Sequence, residues 1–241
     1  RARITYPGGC EIGQRPIDLH LKGLRQLGVI IDESSGYLDC KAPRLEGTEI
    51  HLDYPSVGAT ENIMLAAVKA KGRTIIRNAA KEPEIAALQN FINAMGGNIH
   101  GAGTNTIVIE GEKRLGEVEY TIIPDRIVAG TYMIATAITG GDVLIENIVP
   151  EHVQSVVSKL KEARCAVHVQ DSCIRVKGKY RLRGIEHTKT LPFPGFPTDM
   201  QAQLTSLLTV ARGTSIITET IFENRYKHVP ELIRMGANIR V

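Results

Sequence analysis

The segment AAVKAKGRTIIRN, at residues 66–78, runs from an apolar helical pattern through a glycine into a strand-like stretch. The same phrase returns as IATAITGGDVLIEN at residues 134–147 and as LLTVARGTSIITE at residues 207–219. Gly72, Gly141 and Gly213 therefore recur at a spacing of about seventy residues, and a fixed period of this kind indicates repeated structural units. We expect each glycine to end a helix in a left-handed turn before the strand begins.

A second phrase follows the first, with a charged helix, a tight turn and another strand. The turn and strand read LGVII at 27–31, MGGNI at 95–99, ARCAV at 163–167 and MGANI at 235–239. Pro83 and Pro150 stand where the first turn of a helix accepts proline. Short strands at 106–110 and 173–177 complete the pattern, so each unit is predicted to be helix, strand, helix, strand.

The two helices of a unit differ in their apolar surface. One is apolar on nearly every side, notably at 127–138 and 204–211, and such a helix belongs in the interior. The other is amphipathic and belongs outside, against one face of a sheet. Buried helices ringed by sheets amount to an inside-out α/β barrel, although periodicity alone leaves open a conventional α/β sheet with outer helices. We place the domain break near residues 122–125, which predicts domains at 1–123 and 124–241.

Composition narrows the class of protein. The chain has 241 residues, 43% hydrophobic and 23% charged, as in soluble globular proteins. A net charge of +3 is too weak to indicate nucleic acid and suits small anionic substrates equally well. No apolar run is long enough for a bilayer and no signal peptide opens the chain, so we expect no membrane partner. The first residues are Arg-Ala-Arg with no Met, from which we expect an interior fragment.

The four cysteines indicate neither a metal site nor a disulfide framework. None forms a Cys-x-x-Cys pair, and no histidines cluster near them, so we expect no zinc or other metal. Cys40, Cys165 and Cys173 stand in apolar, strand-like surroundings and are expected to be buried and inert. Without a disulfide pattern or an export signal, a reducing cytoplasm is the expected compartment.

The fourth cysteine, Cys10, lies in the segment YPGGCEIGQRPIDLH at residues 6–20. A Pro-Gly-Gly turn leads to it, and such a turn excludes helix or strand interior. Arg1, Arg3 and Arg15 supply nearby positive charge, which favours a reactive thiol. The alternative is a surface turn with an incidental cysteine, but the Arg-Pro-Ile-Asp continuation favours a functional loop.

Polar residues after prolines mark the expected starts of the apolar helices. They are Ser56, Asp125 and Asp199, and capping of a helix N-terminus would explain all three. Capping is the preferred interpretation for Asp125. At Ser56 the following Val57-Gly58 leaves backbone N–H groups open at a helix start, where a phosphate is favoured.

Three of these motifs together resemble the UDP-N-acetylglucosamine enolpyruvyl transferases, an EPSP synthase-like family. The motifs are residues 7–20, the segment PSVGAT at 55–60 and the segment PGFPTDMQAQ at 194–203. The resemblance implies the inside-out α/β fold, with two domains of three repeats each. This chain would be the later part of the first domain and the earlier part of the second, and we expect such a fragment to be inactive alone. The implied reaction transfers the enolpyruvyl group from phosphoenolpyruvate to UDP-N-acetylglucosamine, in the first committed step of peptidoglycan synthesis, without metal or organic cofactor.

The same resemblance assigns roles to individual residues, with both substrates in a cleft between the domains. Asp199 would be the general base at the sugar 3′-hydroxyl, and Cys10 an acid that the epoxide fosfomycin captures. Arg15 would contact phosphoenolpyruvate, although a surface ion pair with Asp18 is the alternative. Arg225 is a weaker candidate, because an arginine before an outer helix is commonly just solvated. The implied nucleotide contacts are Pro16, Ile17, Asp18 and Leu19 at the uridine, Ser56, Val57 and Gly58 at the diphosphate, and the backbone of Ile221.

Two other functions remain open from the sequence. One is enolpyruvyl transfer to shikimate 3-phosphate, against which the Gly-Gly-Cys loop and the Ser56 motif argue. The other is a non-catalytic relative that only binds a sugar nucleotide, against which the presence of Cys10, Arg15 and Asp199 argues.

Overall fold

The structure, a computed structural model, describes residues 1–8, 12–13, 15–34, 36–179 and 181–241. The chain divides into two compact units of mixed α/β structure. Of the described residues, those at 1–8 and 15–123 belong to the first unit, and those at 12–13 and 124–241 to the second.

The described residues of the first unit form two sheets and three helices. The strands are β1 (Ala2–Thr5), β2 (Ile30–Asp32), β3 (Tyr37–Lys41), β4 (Glu49–His51), β5 (Arg73–Arg77), β6 (Ile99–His100) and β7 (Thr106–Glu110), and the helices are α1 (Asp18–Gln26), α2 (Val57–Ala67) and α3 (Pro83–Ala94). An antiparallel sheet has the order β1-β3-β2, and a four-stranded sheet has the order β4-β5-β7-β6, in which β4 and β5 are parallel. The side chains of Ile50 on β4 and Ile76 on β5 are fully buried in the core of the unit.

The second unit is also built of short strands and helices. The strands are β8 (Asp142–Glu146), β9 (Ala166–Gln170), β10 (Cys173–Lys177), β11 (His187–Lys189) and β12 (Ile216–Thr218), and the helices are α4 (Arg126–Thr139), α5 (Gln154–Glu162), α6 (Gln201–Thr209) and α7 (Val229–Arg234), with 3₁₀ turns at Pro150–Val153 and Thr198–Met200. The strands form an antiparallel sheet, β8-β10-β9, and a parallel pair, β11-β12. The core contains the apolar faces of α4, α5 and α6, including Met133, Val157 and Leu204.

The repeat is visible as two strand–helix–strand crossovers, one in each unit. In the first, α2 joins the parallel strands β4 and β5, and in the second α6 joins β11 and β12. The same hydrogen bond forms before β4 and before β11: Gly47 N donates to Lys71 O, and Gly184 N donates to Arg212 O, both at 2.7 Å. The same sequence pattern has therefore produced the same local structure twice.

The predicted role of the repeated glycines is only partly right. Gly72 and Gly213 do adopt left-handed conformations, with φ of 83° and 104°, but both stand beyond the helix ends, on the approach to the strands. In the middle repeat Gly140, with φ of 68°, ends helix α4 in the left-handed conformation, and Gly141 does not. Glycine adopts the left-handed conformation at little cost, whether the turn closes a helix or precedes a strand.

The expectation that the apolar helices are buried on every side is wrong for α4. Val128 is 51% exposed and Tyr132 is 63% exposed, and Leu144 on the neighbouring strand β8 is 51% exposed. These residues line an open groove of about 360 Å³. The opposite face of α4 packs against α6 and β10, so its apolar composition serves a core on that side only.

Two smaller expectations also fail. The turn after α7 does not lead into a strand at 235–239, because a strand needs a hydrogen-bonded partner and none of the described residues pairs with this segment. Of the three cysteines expected to be buried, only Cys165 is, and burial raises the pKa of its thiol. Cys40 and Cys173 are half-buried because both lie near strand ends.

The backbone at Gly111, just after β7, lies close to the backbone that follows α2. A Cβ atom at Gly111 would lie 1.9 Å from Ala70 O, and Gly111 N donates to Gly72 O at 2.9 Å. We expect Gly111→Ala to lower the free energy of unfolding by about 1–3 kcal/mol, because the strand end must move away from the helix. Urea denaturation of the full-length protein measures this change.

Gly116→Ala is the matched control, since the nearest atom to its new Cβ would be Met95 O at 3.9 Å. Both substitutions restrict the unfolded chain equally. Equal denaturation midpoints for the two variants would contradict the close approach.

Candidate active site

The candidate residues stand at equivalent places in the two crossovers. Helix α2 begins after β4, and the 3₁₀ turn leading into α6 begins after β11. Both starts therefore lie past the carboxyl end of a parallel strand, which is where open α/β sheets bind their ligands. Ser56 occupies this place in the first unit, and Thr198 and Asp199 occupy it in the second.

Ser56 is the N-cap of α2, as the sequence predicts. Its Oγ accepts from Ala59 N at 3.3 Å, and its carbonyl accepts from Thr60 N at 3.0 Å. The N–H groups of Val57 and Gly58 come too early in the helix for intrahelical bonds. They point outward at the positive end of the helix dipole, so this start suits an anionic ligand.

His20 closes over the same helix start from α1. A Cβ at Gly58 would lie 3.0 Å from His20 Cε1, so only glycine fits beneath the ring without displacing it. His20 Nδ1 and Asn62 Nδ2 are 2.6 Å apart. Burial lowers the pKa of His20, and the negative charge of Asp18 opposes this in part. The neutral imidazole is thus the favoured form beside Gly58.

The segment at residues 15–19 lies at the start of α1, which packs against α2. Arg15, Pro16 and Asp18 are exposed, whereas Ile17 and Leu19 are half-buried and Leu19 packs on the core of the first unit. An ion pair of 2.7 Å between Lys22 and Asp53 ties α1 to the loop that precedes Ser56. Two of the predicted substrate-binding segments, 15–19 and 56–58, are therefore brought together within the first unit.

In the second unit Asp199 does not cap a helix. The 3₁₀ turn at Thr198–Met200 follows Pro197, and no side-chain cap is present at its start or at the start of α6. The Asp199 carboxylate instead accepts from Arg225 Nη2 at 2.8 Å, and its side chain is 55% exposed. A carboxylate that is not used by the helix, and that is still open to solvent, is available to a substrate.

Arg225, the weaker candidate of the sequence analysis, is not simply solvated. Its side chain is only 20% exposed. Besides the bond to Asp199, its Nη1 donates to Thr198 Oγ1 at 3.0 Å, and its guanidinium lies 5.6 Å from the centre of the Phe222 ring. No local sequence pattern indicates that Arg225 contacts Thr198 and Asp199, because residues 198–199 and residue 225 belong to different elements.

Asp125 has the structural role predicted for it. Its Oδ1 accepts from Ile127 N at 2.8 Å and from Val128 N at 3.0 Å, which caps α4. Ile221 is partly committed as well, since its backbone N–H donates to Glu219 Oε1 at 2.8 Å. A backbone contact from Ile221 to a ligand would therefore use its carbonyl oxygen.

Cys10 lies outside the described residues, so its predicted position stays a prediction. Downstream of it, Ile12 and Gly13 belong to the second unit, where Ile12 O accepts from Asn224 N at 3.0 Å. A Cβ at Gly13, whose φ is 145°, would lie 2.9 Å from a carboxylate oxygen of Glu223.

Among the described residues, no group of three His, Cys, Asp or Glu side chains could hold a metal ion. Within the same part of the chain, no helix is long and apolar enough to span a bilayer.

Comparison with known proteins defines the class. The family model for EPSP synthase (3-phosphoshikimate 1-carboxyvinyltransferase) matches residues 1–241, and the chain belongs to this family.

Within that family, the similar curated proteins share one name. The chain is 60% identical over 241 residues to UDP-N-acetylglucosamine 1-carboxyvinyltransferase 2 of Caldanaerobacter subterraneus subsp. tengcongensis, and it covers 58% of that protein. It is 56% identical over 241 residues to UDP-N-acetylglucosamine 1-carboxyvinyltransferase 1 of Symbiobacterium thermophilum, and it covers 54% of that protein. The chain thus spans little more than half the length of these relatives.

Solved structures agree on the fold. The enolpyruvyl transferase NikO from Streptomyces tendae matches with a TM-score of 0.86 at 23% identity, over 100% of this chain and 58% of that one. EPSP synthase from Acinetobacter baumannii matches with a TM-score of 0.65 at 21% identity, over 95% of this chain and 55% of that one. The expected inside-out α/β fold is confirmed.

The environment of His20 makes a prediction about pH. We expect the imidazole of His20 to titrate below the ordinary histidine pKa of about 6.5, because burial disfavours its charged form. Asp18→Asn should lower this pKa further, since it removes the negative charge that raises it. A pH titration of the imidazole proton signals by NMR, assigned with His20→Gln, measures both values.

The lowered pKa of His20 also affects stability. The unfolded chain binds the proton more tightly than the folded protein does, so His20 reduces stability as the pH falls through the unfolded pKa. A pKa of His20 at or above the ordinary value would contradict this environment.

Proposed function

We propose that the full-length protein transfers the enolpyruvyl group from phosphoenolpyruvate to the 3′-hydroxyl of UDP-N-acetylglucosamine and releases phosphate. The observation that carries this proposal is the 60% identity, over all 241 residues, to a relative named for UDP-N-acetylglucosamine carboxyvinyl transfer. This would be the first committed step of peptidoglycan synthesis. It would make the protein part of cell-wall biogenesis, and thereby of cell shape and division.

In the second unit, Asp199 would act as the general base. A general base must lie within hydrogen-bond reach of the proton it removes. Support comes from its exposed carboxylate, which no helix start uses, and from the Arg225 guanidinium at 2.8 Å on one oxygen. The second carboxylate oxygen would then receive the proton of the sugar 3′-hydroxyl. Ile221 would offer its carbonyl to the same sugar nucleotide.

In the first unit, the start of α2 would bind the UDP diphosphate. The N–H groups of Val57 and Gly58 and the hydroxyl of Ser56 are the donors, and the dipole of α2 favours negative charge there. Pro16, Ile17, Asp18 and Leu19 would line the uridine pocket on the adjoining α1. Arg15, whose planar guanidinium can bind an anion in bidentate fashion, would hold phosphoenolpyruvate.

The reaction would proceed by addition and elimination. Asp199 takes the proton of the 3′-hydroxyl as that oxygen bonds to C2 of phosphoenolpyruvate, and Cys10 delivers a proton to C3. The resulting tetrahedral intermediate loses a proton from C3 and expels phosphate with the electron pair of the C2–O bond, which restores the double bond. No metal or organic cofactor takes part in this scheme. Both substrates are small soluble anions, so the proposed compartment is the cytoplasm.

The choice of acceptor is the experiment that tests the proposed function. We expect the full-length protein to release phosphate from phosphoenolpyruvate with UDP-N-acetylglucosamine and not with shikimate 3-phosphate. A coupled phosphate assay with each acceptor, and with none, measures this. Turnover with shikimate 3-phosphate and none with UDP-N-acetylglucosamine would show that the protein instead transfers the enolpyruvyl group to shikimate 3-phosphate. Calorimetric binding of the UDP-sugar without turnover would favour a non-catalytic binding protein.

The role of Cys10 is tested by fosfomycin. We expect the epoxide to alkylate Cys10, because the thiolate opens the ring and forms a stable thioether, with loss of activity. Mass spectrometry of peptides from the treated full-length protein locates the adduct. Cys10→Ser should remain unmodified, whereas Cys173→Ser should be modified as the wild type is. An unmodified Cys10 peptide in the wild type would contradict the assigned role.

A further inference from the structure

Glu219 stands at the end of β12 and binds both ends of the proline-rich loop at residues 191–197. Its Oε1 accepts from Thr190 Oγ1 at 2.9 Å, just before the loop, and its Oε2 accepts from Thr198 Oγ1 at 2.9 Å, just after it. Its Oε1 also accepts from the backbone N–H groups of Ile221 and Phe222, at 2.8 and 3.2 Å. One half-buried carboxylate thus fixes where the loop leaves β11 and where it delivers Asp199.

The bond from Thr198 to Glu219 determines what the Thr198 hydroxyl can do next. A hydroxyl has one proton to donate and lone pairs to accept with. Because the proton of Thr198 is committed to Glu219, its lone pairs face Arg225, whose Nη1 donates to Thr198 Oγ1 at 3.0 Å. The second terminal nitrogen of Arg225 then donates to Asp199 Oδ1 at 2.8 Å.

These bonds form a chain of four side chains: Glu219, Thr198, Arg225 and Asp199. A guanidinium is planar, so fixing one terminal nitrogen on Thr198 also fixes the direction in which the other donates. Arg225 therefore holds Asp199 in an orientation that depends on the hydroxyl of Thr198, and that hydroxyl depends on Glu219. Hydrogen bonds to charged groups are among the stronger ones in proteins, which favours a single arrangement.

We propose that Glu219 is a positioning residue, which acts through Thr198 and Arg225 to orient the carboxylate of Asp199 toward its substrate. This inference rests on the proposed function, in which Asp199 is the general base. A purely structural role for Glu219, as a clamp on the loop, is the competing explanation. The two differ at Thr198, because removal of its hydroxyl breaks the chain to Arg225 and leaves the other bonds of Glu219 in place.

The test compares kcat and KM of full-length variants. Thr198→Val removes the hydroxyl at nearly constant volume and should lower kcat about 10- to 100-fold, because misplaced catalytic groups cost this much. The KM values of both substrates should stay within about twofold, because the hydrogen bonds from Glu219 to Asp199 orient the base and do not bind substrate. Glu219→Gln should have a similar effect, because its amide nitrogen cannot accept from Thr198. Asp199→Asn gives the reference for complete loss of the base.

Two variants control for folding. Thr198→Ser retains the hydroxyl and should restore kcat to within about threefold of the wild type. Thr188→Val alters a buried threonine of β11 whose hydroxyl has no hydrogen-bond partner among the described residues, and it should leave kcat unchanged. A Thr198→Val protein with wild-type kcat would overturn the proposal. If Glu219→Gln fails to fold, the Thr198 pair decides the outcome alone.

A second measurement does not depend on turnover. The guanidinium NMR signals of Arg225, assigned with Arg225→Lys, should show restricted rotation in the wild type and in Thr198→Ser, and faster rotation in Thr198→Val. Equal rotation in all three would overturn the proposal even in an inactive protein. A wild type that shows the restricted guanidinium but transfers no enolpyruvyl group would refute the proposed function and leave the positioning chain standing.

Discussion

Parallel pairing of the strands is the constraint on which the rest of each unit depends. Strands β4 and β5 are parallel, as are β11 and β12. Between the two strands of each pair, the chain must therefore return to the end of the sheet at which the first strand began. The helices α2 and α6 provide that return. Their N-terminal starts consequently lie past the carboxyl ends of β4 and β11, where donors and carboxylates can face a ligand. The location of the candidate site is thus a consequence of strand direction.

The helix starts also show how one sequence pattern can support different chemistry. A proline followed within two residues by Ser, Thr or Asp occurs at residues 55–56, 124–125 and 197–199. Asp125 caps α4 with one carboxylate oxygen, and Ser56 caps α2 with its hydroxyl oxygen. Asp199 is one residue further into a 3₁₀ turn, where its oxygens miss the helical N–H groups and meet Arg225 instead. That one-residue difference separates a structural carboxylate from a candidate catalytic one.

Much of the local structure was predictable from periodicity and from glycine and proline. The helices at 83–94 and 126–139 and the strands at 106–110 and 173–177 stand where the patterns place them. The expectation that failed at 235–239 is the one that depended on a partner strand, which no local pattern supplies. The prediction that α4 is buried on every side failed for a related reason, because an apolar face shows only that a helix can be buried there.

The sequence by itself determined the repeat, the types of the elements, the family motifs and the candidate residues, because each of these is carried by neighbours along the chain. Only the tertiary structure decided that Arg225 belongs with Asp199, that His20 covers Gly58, and that Glu219 joins the two ends of the proline-rich loop. The physical reason is that hydrogen bonds and ion pairs form between groups that folding brings together. No local sequence pattern identifies the partner of a side chain when that partner lies in a distant part of the sequence.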